Sequence, residues 1–149
     1  MDDETHSDAW RIPGTVQGRA DRASERKPDA RFRTGTYSGN ALPLVPRDQV
    51  SAQLAWNTGR TGIYSAATRL VGERRYASDF TNTHGMLSGY ATLDLQAVWN
   101  FKPWRVTAKL LNALDKKYSP LAGYSAFYND TYYYPADRRS FFVSGRFDF

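Results

Sequence analysis

The sequence predicts an all-β fold, an antiparallel meander of the kind that forms the wall of a transmembrane β-barrel. Three observations carry this expectation. Successive segments alternate apolar with polar side chains, the period of a strand with two unlike faces. Turns of about four residues alternate with loops of roughly 20 to 27 residues, and long structureless loops are uncommon in compact soluble domains. Trp56, Trp99, Phe101 and Trp104 all fall at the short-turn end, where an interfacial aromatic girdle belongs.

Composition narrows the class. The 149 residues suggest one domain or part of a larger one. No run of about 18 apolar residues occurs, which excludes a membrane-spanning helix. Barrel strands alternate and average out hydrophilic, in keeping with a mean hydropathy of −0.63. Cysteine is absent, so disulfides, thiolate metal sites and cysteine nucleophiles drop out together. Residues 1–30 hold five Lys/Arg against seven Asp/Glu, and residues 31–149 hold fifteen against eight. That basic excess fits nucleic acid, anionic lipid or an anionic small ligand, and alone chooses none.

Along the chain, residues 1–28 are charge-rich with neither helical nor strand period, and read as irregular or disordered. A short β stretch at Asp29–Thr36 is expected next, then a loop punctuated by Ser38-Gly-Asn and two prolines. From Gln49, Val50, Ala52, Leu54 and Trp56 oppose Gln49, Ser51 and Gln53. Asn57-Thr-Gly-Arg is a tight turn. A second strand sets Tyr64, Ala66, Thr68 and Leu70 against Ile63, Ser65, Ala67 and Arg69. After a polar loop at 71–89, Ala91, Leu93, Leu95, Ala97 and Trp99 alternate with Thr92, Asp94, Gln96 and Val98. Phe101-Lys-Pro turns into a strand with Trp104, Val106, Ala108 and Leu110 on one side. A second long loop, 113–138, precedes the terminal strand, where Phe141, Val143, Gly145, Phe147 and Phe149 form one set.

Period two also suits a soluble antiparallel sandwich, for instance a carbohydrate-binding module with exposed aromatic platforms. Loop asymmetry and the one-ended aromatic belt favour the barrel. A nucleic-acid partner is not expected, because the basic residues sit in separate turns, loops and one strand face instead of one stripe.

Four stretches resemble a known family: "LPLVPRDQVSAQLAW", "YATLDLQAVWNF", "RVTAKLLNALDKKY" and the terminal aromatic strand. They look like the C-terminal part of a TonB-dependent outer-membrane receptor. The box from Leu110 to Tyr118 is similar to the Asn-Leu-Phe-Asp-Lys-x-Tyr element at the top of that family's penultimate strand, carried here by Asn112, Leu114, Asp115 and Tyr118. The resemblance covers residues 29–149.

That resemblance implies the last five to six antiparallel strands of a 22-stranded barrel with an internal plug, incomplete on its own. It implies uptake of a scarce ligand such as a ferric siderophore, haem or cobalamin, with no catalysis and no cofactor. It also implies that outer-membrane lipid and the barrel assembly machinery are partners, with Phe141, Val143, Phe147 and Phe149 as the insertion signal. TonB would act only through N-terminal parts not seen here. The first residues carry no basic or apolar signal-peptide region, and so few strands cannot close a barrel, since the smallest have about eight. The expectation is therefore a receptor fragment of the outer membrane that is not transport-competent alone.

Sites of chemistry are few. No nucleotide-binding or hydrolase motif occurs, and His6 and His84 read as solvated loop residues without metal-ligand spacing. Asp94, Arg105, Lys109, Arg146 and Asp148 fall on the predicted lumen face as a wet polar wall. Asn129-Asp-Thr131 matches a glycosylation sequon of little weight in a bacterial surface loop. The ligand candidates are Tyr124, Phe127, Tyr128, Tyr132, Tyr133 and Tyr134, whose flat faces and hydroxyl tips suit planar chelates. Arg138 and Arg139 could balance an anionic complex, as could Arg74 and Arg75 in the other loop. The alternative is that the tyrosines belong to an outer girdle and pack the loop.

Overall fold

The computed structural model describes residues 30–59 and 62–149. The expectation for residues 1–28 therefore lies outside the described residues, as does His6. Seven strands follow in order: β1 (Gln49–Asn57), β2 (Gly62–Val71), β3 (Tyr90–Phe101), β4 (Trp104–Leu111), β5 (Leu121–Ser125), β6 (Asp130–Tyr134) and β7 (Ser140–Phe147). Five make one antiparallel sheet in the order β1-β2-β3-β4-β7, and β5-β6 is a separate hairpin. At about 3.3 Å per residue and a tilt near 40°, strands of this length cross roughly 25 Å.

The pairing register shows how the sequence pattern becomes two surfaces. Leu54 lies opposite Ala66, Ala66 opposite Leu95, Leu95 opposite Leu110, and Leu110 opposite Phe141. Directly opposed residues share a face, and alternate residues share it along each strand. One face therefore carries Val50 to Trp56, Tyr64 to Leu70, Ala91 to Phe101, Trp104 to Leu110 and Phe141 to Phe147 in steps of two. Thr68 is its one aliphatic hydroxyl, and its Oγ1 donates to Thr92 O at 3.1 Å. The charged residues of these strands, Arg69, Asp94, Arg105, Lys109 and Arg146, all fall on the other face. There Arg105 lies opposite Arg146, a like-charge pair offset by the Arg146 bond to Asp148 at 2.7 Å.

Among the described residues no strand contacts another beyond its own hydrogen-bonded neighbour, so no second strand layer packs across either face. The sandwich alternative needs a second layer on the apolar face, and the described residues supply none. Leu54, Phe141 and Val143 stay more than half exposed, whereas the buried apolar residues Tyr76, Leu87 and Ala122 cluster among the loops. An exposed apolar face this large marks an interaction surface.

Both short turns lie at one end. Asn57 Oδ1 accepts from the Gly59 N–H at 2.9 Å, and Gly59 takes a φ of +88°, a left-handed value that glycine adopts freely. Lys102 and Pro103 join β3 to β4. At this end Trp99 Nε1 donates to Tyr64 Oη at 3.1 Å, and Trp56 packs on Tyr64 with centroids 6.0 Å apart. Trp104, Phe147 and Phe149 continue the row at 4.9 and 5.2 Å.

Two local expectations are corrected. Of the stretch expected at Asp29–Thr36, the described residues 30–36 form not a strand but a single bridge, Arg31 to Ala41, because the chain folds back through turns at 34–39. The second long loop is not structureless, since it contains the β5-β6 hairpin, with Asn129 at a φ of +50° in its turn.

The two faces should respond oppositely to a new charge. Leu95→Arg is expected to cost about 2–4 kcal/mol, the range for a cation on the lipid face near the bilayer midplane, and Gln96→Arg under 1 kcal/mol. Denaturant midpoints of the β-signal in lipid vesicles measure both.

Candidate functional site at the loop end

Opposite the short turns, three segments interlock: residues 30–48, 72–89 and 112–139. Asn82, at a φ of +59°, clasps the first segment, accepting from Ala41 N at 2.8 Å and donating to Ala41 O at 3.0 Å. Asn40 Nδ2 donates to Phe80 O at 2.9 Å. Phe32, Tyr37 and Phe80 form an aromatic cluster with centroids 5.7 to 6.1 Å apart.

Asp79 organises loop 72–89. It is fully buried, and its Oδ1 accepts from Thr83 N at 2.9 Å and lies 3.3 Å from His84 Nδ1. Its Oδ2 faces Arg75 at 3.6 Å without a hydrogen bond. His84 is thus not the solvated residue expected, since its ring also stacks on Tyr124 at 3.6 Å. Burying an unpaired carboxylate is costly, so the Arg75 and His84 contacts are what make this loop conformation tolerable.

The tyrosine hairpin docks on this loop. Ala77 N donates to Ala122 O at 2.9 Å, and Arg74 Nη2 donates to Ser119 O and Pro120 O, each at 2.8 Å. The Tyr76 and Tyr133 hydroxyls meet at 3.2 Å. That hydrogen bond, with burial, pushes Tyr76 up to about 12, while bonds from Thr131 and Tyr76 lower Tyr133. Tyr132 lies across Gly123, where a Cβ would come 2.2 Å from its hydroxyl, so a larger residue there would displace the tyrosine ring. Tyr124 donates to Asn129 Oδ1 at 2.7 Å. Phe127 and Tyr128 remain at the tip, 88% and 77% exposed.

The box from Asn112 to Tyr118 ties β4 to β7. Asn112, buried and at a φ of +47°, donates its N–H to Asp94 Oδ1 at 2.8 Å. Its side chain accepts from Lys116 N at 2.9 Å and donates to Lys116 O at 2.9 Å and Asp137 O at 3.3 Å. Asp115 takes a two-point ion pair from Arg138 and accepts from Arg139 N at 3.1 Å. Tyr118 stacks on Tyr90 at 4.0 Å, and Leu114 is exposed. Arg138 is therefore engaged by protein, while Arg139 contributes its backbone to the same clasp.

Among the predicted residues, the structure brings the six hairpin aromatics to one loop cluster, Trp56, Trp99, Phe101 and Trp104 to the opposite end, and Phe141, Val143 and Phe147 to the apolar face of the edge strand β7. Phe149 lies just past that strand. Sequence reading missed Asp79, Asn82 and Asn40. The available signal was "SDFTNTHG", an Asp followed by Thr and Asn at turn spacing. Among the described residues no group of three His, Asp or Glu could hold a metal ion.

A one-layer antiparallel wall with an apolar face, a charged face and all long loops at one end defines a β-barrel segment. The family profile described as "TonB dependent receptor-like, beta-barrel" matches residues 7–113, and the chain belongs to that family. Among solved structures, the ferric yersiniabactin uptake receptor FyuA from Yersinia pestis superposes with a TM-score of 0.64 at 24% identity. The alignment covers 76% of this chain and 18% of that receptor, a likeness of fold. No curated protein sequence matches.

The Asp115 clasp makes a pH prediction. Arg138 and the Arg139 amide hold this carboxyl below the usual range. A depressed folded value stabilises fully above the ordinary carboxylate value and is lost only as pH falls toward the depressed one. Exchange protection of the Arg139 amide is expected to survive from pH 7 through pH 4, and Asp115→Asn to reduce it at both. Hydrogen exchange read by NMR checks this.

Proposed function

We propose that the chain forms the C-terminal wall of an outer-membrane TonB-dependent receptor that takes up a scarce ligand, of which a ferric siderophore is the type. The observation that carries this reading is the segregation of every charge of the five-stranded sheet onto one face, with an aromatic row at the short-turn end of the other. The apolar face lies against outer-membrane lipid, and the charged face lines the lumen. Leu54, Trp56, Tyr64, Leu95 and Phe141 border a groove of about 410 Å3 on the apolar face, wide enough for acyl chains and poor in the convergent polar groups a ligand site needs.

Trp56, Trp99, Phe101 and Trp104 are the interfacial girdle in this reading. Phe141, Val143, Phe147 and Phe149 are the signal for barrel assembly. In this reading the strands between Gln49 and Phe147 form the wall, with residues 30–48 joining the loops at one end. The edges of β1 and β7 have no partner among the described residues, and unpaired backbone in lipid costs several kcal/mol per group. Further strands must complete the wall, so this segment does not transport on its own.

Ligand contact falls to the hairpin. Phe127 and Tyr128 are exposed at the tip, Tyr132 and Tyr134 meet edge to face along β6, and Tyr124 and Tyr133 anchor the hairpin to loop 72–89. Arg139 has the guanidinium free of the Asp115 clasp, while Arg138 positions the loop. TonB reaches such a receptor through other parts, and no catalytic step is assigned.

Circular dichroism with and without detergent tests the membrane reading. β-Structure is expected only with detergent or lipid. A water-soluble monomer with a cooperative unfolding transition contradicts it.

A further inference from the structure

Positive charge is spread unevenly over the charged face of the sheet. On the β2-β3 side Arg69 and Asp94 cancel in charge. The β4-β7 side carries Arg105, Lys109 and Arg146, with Lys102 in the adjoining turn, against Asp148. Asp148 is held by Arg146, Nε to Oδ1 at 2.7 Å. Lys102, Arg105 and Lys109 are exposed, and among the described residues their side chains have no ion pair or hydrogen-bond partner. Arg105 lies directly opposite Asn100 on one side and Arg146 on the other, so a row of donors crosses β3, β4 and β7. Like charges directly opposite on neighbouring strands destabilise a sheet, and Asp148 relieves Arg146 alone. Asn100, Lys102, Pro103, Trp104, Arg105 and Asp148 border a cavity of about 700 Å3 at this turn end.

We propose that this margin of the sheet docks an acidic peptide segment, with its carboxylates on Lys102, Arg105 and Lys109. A guanidinium fork takes a carboxylate through paired, charge-assisted hydrogen bonds, and a lysine adds a point charge. Arg105 and Lys109 stand four residues apart on β4, about 13 Å along the strand. Alternate side chains of an extended peptide share a face at about 6.6 Å, so carboxylates four residues apart meet both cations. A small anion reaches only one end of that array, whereas a peptide spans it. A carboxylate on Arg105 also offsets its repulsion from Arg146, so the partner supplies the charge that the sheet lacks. The cavity beside Lys102 and Arg105 gives the segment a recess at the turn end. Which solvent bathes this face follows from the receptor reading, and the contacts themselves do not depend on it.

The test is fluorescence polarisation of a labelled octapeptide of alternating Glu and Ser, titrated with the full chain in zwitterionic detergent at low ionic strength. Saturable binding is expected, with none for the matching Gln-Ser peptide. Arg105→Gln should weaken binding at least fivefold and, by removing the like-charge pair, raise the urea midpoint of the free chain. Lys117→Gln, at an exposed lysine in the loop cluster, should change neither reading. Circular dichroism verifies that each variant folds, and Lys102→Gln replaces Arg105→Gln if the latter does not. Absence of saturable binding, equal weakening by Lys117→Gln, or tighter binding of a thymidine oligonucleotide than of the Glu peptide overturns the proposal. A chain that folds without detergent contradicts the membrane reading instead, and the same titration in buffer then reads the site, so the two failures are distinguishable.

Discussion

Backbone hydrogen bonds hold β2 against β3 with Ala66 opposite Leu95 and Ala67 opposite Asp94. A slip of one residue would turn Arg69 or Asp94 toward the apolar side, because the strand period is two. Charge in hydrocarbon is expensive and unpaired backbone more so, and the same register removes both problems at once. β4 obeys it through Leu110 opposite Leu95, and β7 through Phe141 opposite Leu110. The apolar face, the aromatic row and the charged face are consequences of that one alignment.

The two ends of the sheet solve different problems. At the turn end the chain reverses within a few residues, and large rings from neighbouring strands pack side by side. At the loop end the only ladder among the described residues is the short β5-β6 hairpin, so side chains supply most other partners. Asn112 and Asn82 fold into left-handed backbone positions and satisfy peptide groups around them. Asp115 gathers donors from the far end of its long loop, and Asp79 gathers its partners from within loop 72–89. The small buried core of Tyr76, Leu87 and Ala122 sits among these clasps. The loop cluster is therefore held by directional polar contacts, and its stability is more exposed to pH and ionic conditions than the wall's.

The wall was legible in the sequence because its signal is periodic. Ala91 to Trp99 names its face residue by residue, and the turn at Lys102-Pro103 is punctuated by proline. The family box was legible as a motif, but its work was not: that Asn112 caps against Asp94 and that Asp115 recruits Arg138 depends on strand pairing across distant residues. The hairpin at 121–134 was hidden because its tyrosines read equally well as a binding loop. Asp79 was hidden because its partners, Arg75 and His84, look like ordinary loop polarity until the chain closes around them. The expected strand near Arg31 failed because one bridge formed where a ladder was anticipated.

The absence of native cysteine permits a direct measurement of the two-faced wall. Single cysteines placed at each position from 91 to 99, spin-labelled in lipid vesicles, report collision with oxygen from the bilayer and with a water-soluble nickel complex. The account predicts strict alternation, with oxygen dominating at Ala91, Leu93, Leu95 and Ala97 and nickel at Thr92, Asp94 and Gln96. Uniform nickel access along the strand, or oxygen access at the even positions, would contradict it.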